Sequence, residues 1–146
     1  MANLKLSQLP AAAALTGTEI VPVVQAGQTR STTIAALADL RKGAWQAPSL
    51  NFPWTNFGDA FANAAYRKDG NRVQLRGLVK AGASGSVIFT LPAGFRPPAQ
   101  QIYVASCDAA TPARVYIRSN GEVIVSHAPS GTFGELSLDG VAFFAE

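Results

Sequence analysis

The side chains of this sequence that could do chemistry occur singly. His127 is the only histidine, and no motif marks a serine that it could activate in a Ser-His-Asp arrangement. Three copies of His127 around a symmetry axis could bind a metal ion, since imidazole is a common ligand. A polar surface role is the simpler interpretation. Cys107 is the only cysteine, which excludes an intrachain disulfide, and its neighbours Val104, Ala105 and Ser106 indicate a buried strand thiol.

Carboxylates and glycines offer no clearer site. The chain has 9 acidic residues, and the pattern places Asp69 and Asp139 in turns and Glu122 and Glu135 on strand surfaces. The segment "GASGS", residues 82–86, lacks the Lys-Ser/Thr ending of a phosphate-binding loop and precedes a strand rather than a helix. We interpret it as a hairpin loop. The sequence therefore predicts a protein that is not an enzyme and holds no metal or cofactor.

Composition favours burial of surface between chains. Of the 146 residues, 48% are hydrophobic and only 14% are charged, whereas soluble domains usually carry about 25% charged residues. Oligomerisation would hide the excess apolar surface of a small domain. The basic residues behind the net charge of +3 are scattered, so nucleic acid is not an expected partner. The apolar run "PAAAAL" is too short for membrane insertion, and no signal peptide is recognisable.

Residues 1–43 form a region of distinct character. An extended arm is followed by the strand "GTEIVPVVQ", in which Pro22 requires an edge position because it cannot donate to a sheet. Ala26-Gly27 predicts a turn and "QTRSTT" a returning strand. A short helix then begins at an N-cap on Thr32 or Thr33 and ends at Gly43. Such a helix is too short to be stable alone, so it must pack against something.

Residues 44–48 read as a linker, and residues 49–146 as a β domain. Apolar residues alternate with polar ones there, and turn signals recur every few residues. Asp69-Gly70 predicts one hairpin, which continues as a strand from Arg72 to Lys80, and Asn120-Gly121 predicts another. The expected fold is mainly β: an antiparallel, jelly-roll-like β-sandwich head preceded by the arm, hairpin and short helix.

The segment "KLSQLPAAAALTGTEIVPVVQAGQTRSTTIAALA" resembles the N-terminal segment of tail fibre and related virion proteins of tailed bacteriophages. The stretches "VQLRGLVKAG", "IFTLPAGFRP", "ARVYIRSNGEVIV" and "LSLDGVAFFA" are similar to C-terminal head domains of such fibres. The resemblance implies a homotrimer in the virion tail, assembled in the host cytoplasm. Its N-terminal segment would bind other tail or baseplate proteins, and its head would face the host. The residues implied in virion attachment are Leu6, Leu9, Pro10, Ile20, Val21, Pro22 and Val23.

This sequence departs from long fibres because no extended shaft separates the attachment segment from the head. A short trimeric tail fibre that attaches to the host surface is therefore the first expectation. The alternative is a purely structural baseplate, collar or capsid decoration protein without receptor binding. An exposed cleft or aromatic patch on the head would favour the first function.

If the head binds a host glycan or protein, loops at one end of the sandwich are the expected site. Phe133 lies in "HAPSGTFGE", where small neighbours would leave its ring open for stacking on a sugar, and His127 is in the same loop. Arg96, in "AGFRPPAQ", could pair with an acidic sugar. The predicted ligand-binding residues are therefore Phe133, His127 and Arg96. Alternatively, Phe133 contacts the trimer axis and Arg96 pairs with an acid. Trp54 and Phe57 are expected in the core or at a subunit interface.

Overall fold

The computed structural model describes residues 13–108, 111–126 and 132–145, so His127, Leu6, Leu9 and Pro10 lie outside the described residues. The predicted mainly β fold is confirmed. The elements are β1 (Ile20–Gln25), β2 (Gln28–Thr33), α1 (Ile34–Asp39), β3 (Thr55–Asn56), β4 (Ala65–Asp69), β5 (Arg72–Arg76), β6 (Leu78–Lys80), β7 (Val87–Thr90), β8 (Gln101–Cys107), β9 (Thr111–Ile117), β10 (Glu122–Ser126), β11 (Leu136–Ser137) and β12 (Ala142–Phe144). They belong to two compact units that divide between Arg41 and Lys42.

The first unit is a hairpin followed by a helix. β1 and β2 pair from Ile20 opposite Thr33 to Gln25 opposite Gln28. Ala26 and Gly27 both have positive φ, 52° and 74°, as a two-residue hairpin turn requires. Thr33 is the N-cap of α1, and its hydroxyl accepts a 3.2 Å hydrogen bond from the Ala36 amide. The hairpin and the N-cap were both predicted from the sequence.

The predicted end of the helix at Gly43 is wrong, because the chain already belongs to the second unit there. α1 ends at Asp39. The Gly43 amide donates a 2.7 Å hydrogen bond to the Lys68 carbonyl. Further along, Gln46 and Tyr66 exchange two backbone hydrogen bonds of 2.8 and 2.9 Å. The segment that we expected to be a linker, residues 44–48, thus runs alongside β4.

The second unit contains two antiparallel sheets that share a core. One has three strands in the order β12-β5-β4, and the other is curled and has seven in the order β3-β6-β11-β8-β9-β10-β7. Val73 and Phe143 from the smaller sheet and Val79, Val115 and Val125 from the larger one belong to one cluster of buried side chains. The described core residues all come from Trp54 onward, so this unit has its own hydrophobic interior.

The chain changes sheets at Gly77, where we predicted one continuous strand from Arg72 to Lys80. Gly77 has a φ of 104°, which only glycine adopts readily. A Cβ there would lie 2.4 Å from the Asn63 carbonyl oxygen. The Gly77 amide donates to the Asp139 carboxylate at 3.0 Å. The continuous strand is therefore wrong: β5 pairs in the smaller sheet and β6 in the larger one.

Three further local predictions can be compared with the structure. The hairpin around Asn120-Gly121 is confirmed, because β9 pairs with β10 and Ile117 stands opposite Val123. The first hairpin is confirmed with a shift of one residue, since Asp69 pairs with Arg72 and the turn is Gly70-Asn71. Residues 82–86 do not close a hairpin. β6 and β7 are not neighbours in the seven-stranded sheet, so this loop crosses between distant strands.

Candidate ligand-binding and attachment surfaces

Phe133 is part of the core, and the prediction that its ring is open to solvent is wrong. The side chain is 2% exposed, and its ring centroid lies 5.6 Å from that of Trp54. The Phe133 amide donates to the Gly82 carbonyl, and its own carbonyl accepts from the Ala81 amide, both at 2.8 Å. A ring packed in this way cannot stack on a sugar.

Trp54 contacts the loop of residues 82–86, which is also hydrogen-bonded to Phe133. Its indole Nε1 donates to the Ser86 hydroxyl at 2.8 Å, and that hydroxyl donates to the Ala83 carbonyl at 2.6 Å. Gly82 lies against the indole, and a Cβ on it would approach Trp54 Cε2 to 1.8 Å. The small residues of this loop therefore accommodate aromatic rings in the core. Trp54 was expected in the core or at a subunit interface, and its exposure of 3% shows that it is a core residue.

Arg96 is half-buried and supports a turn. Its Nε donates a 2.9 Å hydrogen bond to the Leu91 carbonyl, and the Leu91 amide donates to the Gly121 carbonyl at 2.8 Å. Thr90, at the end of β7, pairs with Glu122 beside this turn. The loop of Phe133 instead meets residues 81–85, before β7 begins. Arg96 and Phe133 therefore lie at opposite ends of β7, and the single site predicted for them does not exist.

The described attachment residues lie on β1 with much of their apolar surface open. Ile20 is 74% exposed, Pro22 is exposed, and Val21 and Val23 are half-buried. A groove of about 510 Å³ runs between the hairpin and α1. It is lined by Val23, Val24, Gln25, Arg30, Ser31, Thr32, Ala36, Leu37 and Leu40.

None of residues 13–41 has a buried side chain. Leu15, Val24 and Leu40 are 59%, 77% and 81% exposed. A two-stranded hairpin with one short helix is marginally stable in water without a larger apolar face to pack on. The first unit thus presents apolar surface that its own described residues do not cover.

Glu19 stabilises the turn at residues 16–19, before β1. The sequence analysis did not identify this role. Its carboxylate accepts hydrogen bonds from the Thr16 amide at 2.7 Å, the Thr16 hydroxyl at 2.9 Å and the Gly17 amide at 2.8 Å. These bonds, led by that from the Thr16 backbone, lower the pKa of Glu19 to about 2. The carbonyl of Gly17 then accepts from the Ala35 amide at 2.9 Å, which joins this turn to the start of α1.

The outer face of the larger sheet carries a groove of about 240 Å³. It is lined by Gly85, Gln100, Tyr116, Arg118, Ile124 and Ser126. Tyr116 on β9 stands opposite Ile124 on β10, and Arg118 contacts Glu122 at 2.9 Å. One aromatic ring among amide, hydroxyl and guanidinium groups can contact both the apolar face and the hydroxyls of a saccharide. We call this site the β9–β10 groove.

Beside the groove, the same face exposes aliphatic side chains. Ile102 and Val104 on β8 are 57% and 77% exposed, and Ile102 stands opposite Tyr116. Single exposed aliphatic residues are common, but a pair on one strand next to a cleft is typical of a contact surface. This surface and the groove are continuous across β8 and β9.

Metal-binding clusters and membrane-spanning helices are absent from the described residues. Within residues 13–108, 111–126 and 132–145, no three ligating side chains come together as a metal site would require. In the same part of the chain, no helix is long and apolar enough to cross a membrane.

Comparison with known proteins identifies one informative neighbour. The fold is similar to the crystal structure of the receptor binding protein (gp15) of Listeria phage PSA, with a TM-score of 0.59 and 21% sequence identity. The match covers 77% of this chain and 71% of that one. No protein-family model and no curated protein sequence matches. At this level of identity the likeness shows a shared fold.

Proposed function

We propose that this chain is a virion protein of a tailed bacteriophage, a short fibre that attaches the particle to the host cell surface. The observation that carries the proposal is the fold shared with a phage receptor binding protein. The N-terminal unit supports it independently. Its apolar surface is open, and its hairpin forms a two-stranded sheet whose edges could pair with a strand of another protein. In this proposal the first unit binds tail or baseplate proteins, and the second unit binds the host.

The receptor surface is proposed to be the β9–β10 groove. Tyr116 supplies an aromatic ring, and Gln100, Arg118 and Ser126 supply hydrogen-bonding groups around it. A host-surface glycan or a protein loop could contact such a lining. The six lining residues include no carboxylate and no imidazole, so the proposed role of the groove is binding without catalysis.

The protein is proposed to act as a homotrimer. The exposed pair Ile102 and Val104, together with the low charge of the chain, supports burial against further copies. Each copy would add one groove, and several weak sites on one particle bind a surface much more tightly than a single site. Multivalency would therefore offset the modest size of the groove.

A fragment of residues 42–146 tests this division of labour. It begins at the boundary between the units and keeps the segment bonded to β4. We expect it to fold, to bind host cells when fluorescently labelled, and to remain absent from purified particles that incorporate the full-length chain. Tyr116→Ala in the fragment should reduce cell binding, and Tyr116→Phe, which keeps the ring, should reduce it less.

The alternative is a structural baseplate, collar or decoration protein. One observation favours it: Phe133 and Arg96, the best ligand candidates in the loops, both stabilise the fold. Full-length protein that enters particles, combined with a fragment that does not bind host cells, would support this alternative. Incorporation of the fragment at the level of the full-length chain would contradict the assignment of the first unit to attachment.

A further inference from the structure

The outer face of the three-stranded sheet carries a cluster of arginines that the proposed receptor groove does not use. Arg67 on β4 and Arg72 and Arg76 on β5 project from this face, as the burial of the alternate residues Val73 and Leu75 requires. Trp45 lies over two of them, with its ring centroid 4.4 Å from Arg67 Cζ and 4.2 Å from Arg76 Cζ. We call these four residues the Trp45–arginine cluster.

No described acid forms an ion pair within 4 Å with the arginines of the cluster, although Asp69 stands opposite Arg72 across β4 and β5. In the part of the chain that the structure describes, the only ion pair within 4 Å is Arg118–Glu122, on the other sheet. β4, β5 and β12 together contain three arginines and one lysine but a single acid, Asp69. Guanidinium groups held close together repel one another, so an anion placed between them would be bound favourably.

Three contacts hold the guanidinium groups of Arg67 and Arg76 in place before any ligand binds. Trp45 attracts Arg67 and Arg76 by cation–π interaction, and Arg67 Nε donates to the Gln74 side chain at 2.9 Å. Arg76 Nε is buried and has no hydrogen-bond partner, although buried donors are nearly always satisfied. Because this Nε has no accessible surface, a ligand of the cluster must bind other guanidinium nitrogens.

A cavity adjoins the cluster. It has a volume of about 200 Å³ and is lined by Trp45, Arg72, Gln74, Gly140 and Ala142, among others. Across the sheet, Phe144 is opposite Arg72 and 67% exposed. The space suits one sugar-sized unit and is shorter than the extended track that a nucleic-acid backbone needs. An acidic saccharide therefore fits this face better than an oligonucleotide.

From this geometry we infer that the Trp45–arginine cluster binds the oxyanion of an acidic saccharide. Arg72, which lines the cavity with Trp45, donates to the phosphate or carboxylate oxygens, since the guanidinium fork matches both groups. Arg67 and Arg76, which are stacked on Trp45, add positive charge beside the cavity. Trp45 is a positioning residue that orients Arg76. The site itself depends only on the cluster, whereas the origin of the saccharide at the host surface rests on the proposed function.

Titration of the full-length chain with small sugars tests the inference. The probes are glucose 1-phosphate, glucuronate and glucose, which share a ring and differ in the anion. The chain has two tryptophans, so the two indole N–H signals in a ¹H–¹⁵N spectrum report separately on each. We expect the acidic sugars to shift the Trp45 signal and not that of Trp54, which is buried and bonded to Ser86. Binding by one acidic sugar alone would identify phosphate or carboxylate as the anion.

Variants connect the signal to the arginines. Arg72→Gln should weaken binding of the acidic sugars at least about tenfold, the usual effect of losing one charge-assisted hydrogen bond. Arg76→Gln should weaken it less, because Arg76 contributes only its charge beside the cavity. Arg114→Gln removes the same charge from the exposed face of β9, and we expect a change of less than about twofold because exposed, distant charges are screened by salt. Arg72 is exposed, so its variant is informative even if Arg76→Gln unfolds.

Several outcomes would overturn the inference. These are a Trp45 signal that does not move with either acidic sugar, equal binding of glucose, and equal weakening by Arg114→Gln. Displacement of the sugars by a short oligothymidylate that binds more tightly would overturn the saccharide assignment. Every one of these readouts is independent of cell binding, so failure here leaves the proposed host attachment to be judged by the fragment experiment.

Discussion

At the scale of single residues, several aromatic rings and a carboxylate stabilise the fold. Phe133 and Trp54 fill the core beneath the loop of residues 81–86. Glu19 satisfies two backbone amides and a hydroxyl at the start of the first unit. Phe133 and Arg96, which looked available for ligands from the sequence, are thus occupied by contacts within the chain.

Phe133→Ala should destabilise the second unit by about 3–5 kcal/mol, because it removes a buried ring and leaves a cavity. Phe144→Ala removes the same ring from the outward face of β12, where it is 67% exposed, and should change stability by about 0.5 kcal/mol or less. Denaturant unfolding at fixed protein concentration measures both. Equal effects of the two substitutions would show that the Phe133 ring is not packed in the core.

The hydrogen bonds to Glu19 should make the order of the first unit dependent on pH. The pKa of this carboxyl is lowered from 4.5 to about 2 in the folded chain. A lowered pKa means that the stabilisation is complete above about pH 4.5 and is lost as the pH falls towards 2. Protection of the Thr16 and Gly17 amides from hydrogen exchange should decline over this range. Glu19→Gln should show weak protection at all pH values, and full protection in that variant would contradict the assignment.

At the scale of elements, glycine determines where one strand leaves its sheet. Val73 and Leu75 before Gly77 and Val79 after it are all buried, so the apolar period continues across the break. The positive φ at Gly77 and the approach of Asn63 nevertheless send β5 and β6 to different sheets. The Asp139 carboxylate, from the connection between β11 and β12, accepts a hydrogen bond from the Gly77 amide. The two places where the chain passes from one sheet to the other, β5 to β6 and β11 to β12, are therefore bonded to each other.

Gly77→Ala should therefore be more destabilising than the same substitution at a glycine that has a positive φ but room for a Cβ. Gly58 provides the control, since its φ is 83° and a Cβ there would meet nothing within 4 Å. We expect Gly58→Ala to cost about 1–2 kcal/mol for the left-handed backbone. Gly77→Ala should add about 1–3 kcal/mol or more for the clash with Asn63. Urea unfolding midpoints compare the two, and equal midpoints would mean that the strands can separate to admit a methyl group.

At the scale of the whole molecule, two units with unequal interiors divide the proposed work. The second unit has a core of its own, while the described residues of the first unit bury no side chain. A unit without a core gains stability from whatever covers its apolar surface. This suits a segment that becomes ordered on a particle, and the self-contained second unit suits a part that faces the solvent and the host.

Light scattering at micromolar concentration should give about three times the chain mass of 15.2 kDa. Val104→Lys places a charge in the exposed aliphatic surface of β8 and should shift the protein towards smaller species. Ala99→Lys, an exposed position in the loop before β8, should leave the mass unchanged. A monomeric mass for the parent protein would contradict both the trimer and the proposed fibre.

Local physical rules were sufficient to predict the regular elements from the sequence. The predicted alternation of apolar and polar residues holds in β9 and β10, where Val115, Ile117, Val123 and Val125 are each fully buried. Turn chemistry predicted the hairpins, and the cap chemistry of threonine predicted the start of α1. These features depend on residues within a few positions of one another, so their determinants are readable in the chain.

The candidate sites were decided by tertiary contacts between distant residues. Trp54 reaches Ser86 over a separation of 32 residues, and Gly77 reaches Asp139 over 62. Small residues around Phe133 are compatible with an open ring or with a ring covered by another loop, and only the position of Trp54 decides between them. Trp45 meets Arg67 and Arg76 because residues 42–46 run beside β4. No local period encodes such contacts, because they arise from how the two sheets pack and where the chain crosses between them.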